Sequence, residues 1–398
     1  MSRPTLSKLP IDRATARSGR AFTMVEMLVA LAILVTIMLL AVEMIDRTNS
    51  IWTSTTSKLE QFRGAREAFD SLIANLGEAT LDQYQGYQFQ QSTFAASGIS
   101  LTVDIPLSYG RKSDLRFLCG PGATEAQLNA GSPPCVTDSV FFTAPLGVIT
   151  GSNSTEPTPG EYTNAASNSP GLPGLLNTCG YFIQWSNVDP QCPSIISSRY
   201  GNGAGNDIYR FRLMEFVEPA EQMTLYNLTT SYSATTGYPT YNPVVTGTWQ
   251  KAALAASPSS IHTLANNVVA LLLLSATSTT DTSGLLAPGF VYNSESQNSA
   301  SPQYSQNNRL PPVVRVVLYT IDEVSAHRLA NTPSVPNLYT GTTGQPLFQD
   351  PTKLYPAQDG SDPGDLSRFE QNLTQLKLSF RRFEAAVQMQ PQPWSKNL

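Results

Sequence analysis

One ionisable group interrupts the apolar run that extends from Ala21 to Val42, and it is Glu26. A carboxylate at membrane depth costs about 2.5–3.5 kcal/mol on insertion scales, so it calls for a partner. Cutting the chain between Ala21 and Phe22 would create that partner, because the new α-amino group would lie four residues from Glu26. Such an amine has a pKa of about 7.7–8 and is largely charged at neutral pH. In an array of parallel helices, the amine of one chain would neutralise the Glu of its neighbour. The chemistry expected at Ala21, Phe22 and Glu26 is therefore cleavage followed by charge pairing in an apolar medium.

The other residues able to do chemistry are scattered. Cys119, Cys135, Cys179 and Cys192 are an even set, which in an exported domain reads as two disulfides. Three connectivities are open, and local pairing, Cys119–Cys135 with Cys179–Cys192, is the expected one. Zinc is a poor alternative, since neither pair has C-x₂₋₄-C spacing and His262 and His327 are distant in sequence. Asp359, Asp362 and Asp365 fall within seven residues and could hold Ca²⁺ together with backbone carbonyls. They depart from the EF-hand pattern, and a solvated turn is the default. The glycine-rich stretch 201–206 matches neither a dinucleotide nor a Walker fingerprint, so it reads as a turn. Asp322 and Glu323 are adjacent, and neighbours on a strand point to opposite faces, so they read as a strand terminus. With two histidines and no G-x-S-x-G, a hydrolase site has no support, and neither an enzyme nor a cofactor is expected.

The elements around Glu26 follow from composition. Residues 1–21 carry five Lys or Arg against Asp12, a basic leader that would orient the rest of the chain toward the periplasm. The whole chain has 25 basic and 30 acidic residues, and without the leader 20 and 29 remain, a net of −9. An acidic chain without a basic cluster argues against nucleic-acid binding. Charged residues are 14% of the chain, against roughly 25% in typical soluble domains. That points to an extracytoplasmic surface built from Ser, Thr, Asn, Gln, Gly and Pro.

No proline falls between Pro10 and Pro106, and the apolar run continues into an amphipathic pattern. Ile45, Trp52, Leu59, Phe62, Phe69, Leu72, Ile73 and Leu76 mark one helical face. Arg63–Glu67 and Arg66–Asp70 support it at i,i+4, while Gly64 and Gly77 are where a bend would fall. The expectation is one helix over 22–81, roughly 90 Å long, its first half (22–46) in a membrane and its second (47–85) packed on a sheet. Beyond it, 86–398 reads as a β-rich head. Strands are expected at 99–105, 114–119, 139–143, 181–186, 208–217, 268–275, 313–321 and 376–383, with 313–321 central because only Arg315 breaks its apolar run. Long polar insertions are expected at 144–178, 229–260, 276–309 and 331–368.

The segment from Phe22 to Ile33, with its aromatic start, Glu26 and basic leader, resembles the class III signal of type IV prepilins and type II secretion pseudopilins. The resemblance implies a prepilin peptidase that cuts before Phe22 and methylates its amine, with Glu26 as the fifth mature residue. The family's usual Gly before the cut is Ala21 here, and Gly19 lies two residues further back. Cutting after Gly19 would put Glu26 seventh, so the Ala21–Phe22 bond is the expected site. The segments Leu59–Ala79, Leu264–Leu271 and Leu310–Leu318 are similar to parts of minor pseudopilin J. The long insertions and four cysteines resemble a prepilin-like family of verrucomicrobial gene cassettes, Verru_Chthon cassette protein C, which implies an exported prepilin-like protein with no known chemistry.

The reading is an α+β, pilin-like chain: a leader (1–21), a long N-terminal helix and an antiparallel head with loop insertions. The implied function is a minor subunit, at or near the tip, of a type IV pilus-like or type II secretion-like filament. Its partners would be other (pseudo)pilins, the prepilin peptidase and the inner membrane. A membrane-tethered binding module, recognising a surface or cargo without a filament, is the alternative.

Overall fold

Helix α1 runs from Met24 to Gly77 without a break at Gly64, 54 residues and therefore about 80 Å. In this computed structural model the described residues are 23–96, 99–129, 132–149, 174–187, 209–226, 229–232, 239–242, 249–295, 308–330, 332–341, 344–357 and 360–389. The apolar first half of α1 carries an 18-residue stretch of mean hydropathy 2.8, long and apolar enough to cross a membrane. Its large side chains from Met24 to Ile45 are exposed to solvent. The chain divides into two compact units, residues 1–57 and 58–398.

In the second unit α1 changes character. Ala65 is buried, and Ala68, Phe69, Leu72 and Leu76 belong to the main core. Arg63–Glu67 and Arg66–Asp70 pair on the outer side, as their spacing predicts. The expected stripe is thus half used: Leu59 is exposed, whereas Leu72 and Leu76 are fully buried. Phe69 meets the ring of Phe383 at 5.7 Å. Gln61 Nε2 donates to the Ile321 carbonyl, and Asn75 Nδ2 donates to the Tyr181 hydroxyl.

The head is α+β, and among the described residues every strand pair is antiparallel. One sheet of six strands has the order β11-β3-β4-β5-β6-β9. Its members are β3 (Phe117–Pro121), β4 (Cys135–Ala144), β5 (Asn177–Ser186), β6 (Arg210–Glu218), β9 (Ile261–Asn266) and β11 (Tyr292–Asn293). A second sheet has the order β10-β12-β13, from Val268–Ala276, Val313–Ile321 and Phe380–Gln388. Two ribbons complete the described strands: β1 (Tyr84–Ala96) with β2 (Ile99–Lys112), and β7 (Thr229–Tyr232) with β8 (Pro239–Asn242). The short helices are α2 (Gly122–Glu125), α3 (Trp249–Ala256), α4 (Glu323–Leu329) and α5 (Gly364–Gln375).

Alternation along the strands divides the apolar residues between two cores. On β5, Cys179, Tyr181, Ile183 and Trp185 face the main core shared with the second sheet and α1. Phe182 faces the other way, joining Phe141, Met214 and Phe216 beneath Trp249, Ala253 and Leu254 of α3. Gly180 opposes Phe141 in the register, and a Cβ there would lie 2.4 Å from that ring. Close ring-to-backbone approach therefore requires glycine at 180.

The two sheets meet at Asn267. Its φ of 63° is a left-handed conformation that Asn adopts more readily than most residues. Its amide donates to the Phe211 carbonyl of β6, and its carbonyl accepts the Ile321 amide of β12. The segment read as one strand entry at Leu264–Leu271 is thus the crossing point from β9 to β10.

Strand β12 is central in its sheet, as its apolar run predicts, and Arg315 reaches Glu384. The expected strand 376–383 is displaced to β13, because α5 ends there. Leu378 N–H donates to the Leu373 carbonyl and Lys377 N–H to the Thr374 carbonyl, with Lys377 at φ 55°. This paired helix-end motif turns the alternation Leu376, Leu378, Phe380 into a cap followed by a strand. The insertions 229–260 and 331–368 contain α3 and the start of α5, and β1 and β9 arise where no strand is expected.

Candidate functional site

At its first turn α1 is closed by its own side chains. The Thr23 amide and hydroxyl each donate to Glu26 Oε2 at 3.1 Å, and the Glu26 amide donates to Thr23 Oγ1 at 3.3 Å. This is a reciprocal capping box, which satisfies helix-end donors that have no intrahelical partner. Glu26 therefore has a local role that its reading as an intermolecular charge partner did not include. The signal was in the sequence as Thr23-x-x-Glu26. Ala21, Phe22 and Gly19 lie outside the described residues.

The cysteines require a correction. Cys119, Cys135 and Cys179 are free and buried. Cys119 belongs to the main core and Cys135 to the core beneath α3. They point to opposite faces of one sheet, so the expected Cys119–Cys135 bond is not formed and could not form without breaking the strand alternation. Burial pushes the Cys135 thiol up to about 12 and raises Cys119 and Cys179 as well. These are inert core residues, not nucleophiles. Cys192, the expected partner of Cys179, lies outside the described residues.

Asp362 and Asp365 border a cleft of about 300 Å³, lined also by Gly341, Gln345, Asp350, Lys353 and Arg368 among others. Asp362 and Asp365 both pair with Arg368, at 2.9 and 3.1 Å. Asp362 also accepts the Gly364 amide, and Asp365 the Phe348 amide. The Gly364 amide, with Arg368 beside it, holds the Asp362 carboxyl below its ordinary range. Asp359 lies outside the described residues. Both described carboxylates thus serve a guanidinium and the backbone, and among the described residues no group of three acidic, His or Cys side chains converges on a metal position.

Asp322 and Glu323 do end a strand. Asp322 caps α4 through the Ser325 amide and pairs with Lys58 at 3.1 Å. Glu323 pairs with Arg210 and accepts from Asn267 Nδ2. His262 lies on β9 and His327 on α4.

Sequence reasoning missed two polar clusters. Tyr181 donates to Glu215 Oε1 at 2.6 Å while accepting from Asn75 of α1. On the second sheet, Tyr319 donates to Glu370, and Tyr355 and Arg315 both reach Glu384. These clusters tie helices and loops to sheets, and each polar group has its partner within the fold. Long-range pairing of this kind has no spacing signal in the chain. No protein-family model, curated protein or solved structure matches this chain.

Proposed function

We propose that this chain is a prepilin-like minor subunit of a type IV pilus-like or type II secretion-like filament, at or near its tip. The observation that carries the reading is the division of one continuous helix. Residues 24–45 of α1 expose an apolar surface suited to a membrane or to neighbouring helices. Residues 68–76 of the same helix close the core of an antiparallel head. The Phe22–Glu26 motif and the basic leader stand at the start of that exposed stretch.

In this reading the leader faces the cytoplasm, the helix holds the subunit in the inner membrane, and the head folds in the periplasm. A prepilin peptidase removes residues 1–21 and methylates Phe22. Glu26 then receives the amine of a neighbouring subunit as the helices bundle. The subunit is structural, and no catalytic residue is assigned. Mass spectrometry of the mature N-terminus tests this: a methylated Phe22 supports it, and a chain still beginning at Met1 in cells with an active prepilin peptidase overturns it.

The cleft beside Arg368 favours a second reading, a membrane-tethered module that binds a surface or cargo through its head. Such a module needs no leader removal, so the same measurement separates the two.

A further inference from the structure

Strands β1 and β2 form a ribbon of their own, with Tyr84 paired to Lys112 at one end and Ala96 to Ile99 at the other. At 13 residues β1 is about 44 Å long. Among the described residues no further strand lies beside β1 or beside β2. Among the described residues each therefore presents a strand edge, and such an edge is a template for pairing with another chain.

The two edges differ in kind. Strand β2 carries Asp104, Pro106, Arg111 and Lys112, the charges and proline by which natural sheets keep edges from pairing. Strand β1 has no charged residue and no proline in its whole length. It carries Gln at 85, 88, 90 and 91 among aromatic residues and Thr93. High β-propensity, no net charge and no proline are the marks of segments that pair with copies of themselves. The ribbon is fastened across its strands by the Tyr87 and Tyr109 rings, 5.1 Å apart. At its base the Tyr84 hydroxyl donates to Asp114.

We propose that the outer edge of β1 pairs antiparallel with β1 of a second copy of this chain, joining two ribbons into a four-stranded sheet. An uncharged strand offers nothing to select a partner of opposite charge, and it does not repel its own copy. Antiparallel pairing of identical strands is two-fold symmetric, so it closes at a dimer. This surface lies in the head and does not depend on the filament reading.

The test uses the full chain in detergent micelles, followed by analytical ultracentrifugation. The wild type is expected to be dimeric. Gln90→Lys with Ser92→Lys on β1 should raise the dimer dissociation constant at least tenfold. Ser100→Lys with Thr102→Lys adds the same charge to β2 and should change it less than threefold. Hydrogen exchange on the unaltered chain gives an independent readout, since β1 amides should slow as concentration rises while core amides stay constant. A monomeric wild type overturns the proposal. So does a dimer indifferent to the β1 lysines, which would place association in the apolar helix, and so does equal weakening by both pairs. Open fibres instead of a dimer would overturn the closed two-fold pairing.

Discussion

Asp138 Oδ2 accepts the amide of Leu273 at 2.9 Å, joining β4 of the larger sheet to β10 of the smaller. Strand β10 is an edge strand by pairing, yet all nine of its residues are buried. Its outward backbone groups must therefore find side chains instead of water. Thr137 Oγ1 accepts the Leu271 amide, Asp138 accepts that of Leu273, and the Tyr339 hydroxyl donates to the Val269 carbonyl. Thr137, at φ 55°, lies where the β4–β5 register shifts, and the bulge turns two successive side chains toward β10.

This arrangement has a cost that depends on pH. Burial raises the Asp138 carboxyl to about 8, against an ordinary value of 3.8. The folded state therefore binds a proton that the unfolded chain has already released between those two values. Stability contributed at Asp138 falls as pH rises through that window, with a slope approaching about 1.4 kcal/mol per pH unit. Asp138→Asn keeps an acceptor for Leu273 and removes the titration. Denaturant unfolding of residues 51–398 from pH 4 to 8 should show the wild type losing stability relative to the Asn variant. Parallel curves would mean that Asp138 stays ionised in the fold.

Two residues of one helical stripe should differ sharply in their worth. Leu72 is fully buried in the main core, whereas Leu59 is 63% exposed. Leu72→Ala should cost about 2–5 kcal/mol through lost contacts and a cavity. Leu59→Ala should stay within about 0.5 kcal/mol. A fragment beginning at Ile51 should be soluble and folded, and one beginning at Tyr87 should aggregate, because it lacks the lid formed by Phe69, Leu72 and Leu76. Equal stability of the two fragments would remove helix-on-sheet packing from the account.

The sequence made the helix, the antiparallel class and the central place of β12 legible, because each rests on local periodicity. The apolar run from Val313 to Ile321 coincides with the bounds of β12. The division of the head into two sheets was not legible. It depends on Asn267 taking a left-handed turn inside an apolar run and on Thr137 and Asp138 completing a distant edge. At Leu376–Phe380 the alternation of a strand and the end of an amphipathic helix coincide, and only the hydrogen bonds of Leu378 and Lys377 decide between them. The cysteines misled for a related reason: an even count carries no information about which face of a sheet each thiol occupies.

That correction has a direct consequence for labelling. In the native protein Cys119, Cys135 and Cys179 should resist thiol reagents, since all three are buried and burial raises each thiol. Unfolding in denaturant without reductant should expose all three together, with the cooperative transition of the core. Fewer than three reactive thiols in the unfolded, unreduced chain would mean that at least one of the three is held in a disulfide.

Glu26 caps α1 through Thr23, and variants at the two residues separate this cap from the charge pairing proposed for assembly. Glu26→Gln keeps the capping box, because Gln serves at that position as Glu does, but it removes the charge. Leader cleavage and membrane insertion should persist, since the change makes the helix less costly to insert. Incorporation beside partner pilins should fail, because an amine buried without its carboxylate costs several kcal/mol. Thr23→Ala does the reverse: it weakens the cap by about 1 kcal/mol and leaves the charge in place. Measured as mature subunit recovered with sheared filaments, Thr23→Ala should incorporate near the wild-type level and Glu26→Gln should not. Equal loss in both variants would make Glu26 a helix cap alone, and normal incorporation of the Gln variant would remove its charge from assembly.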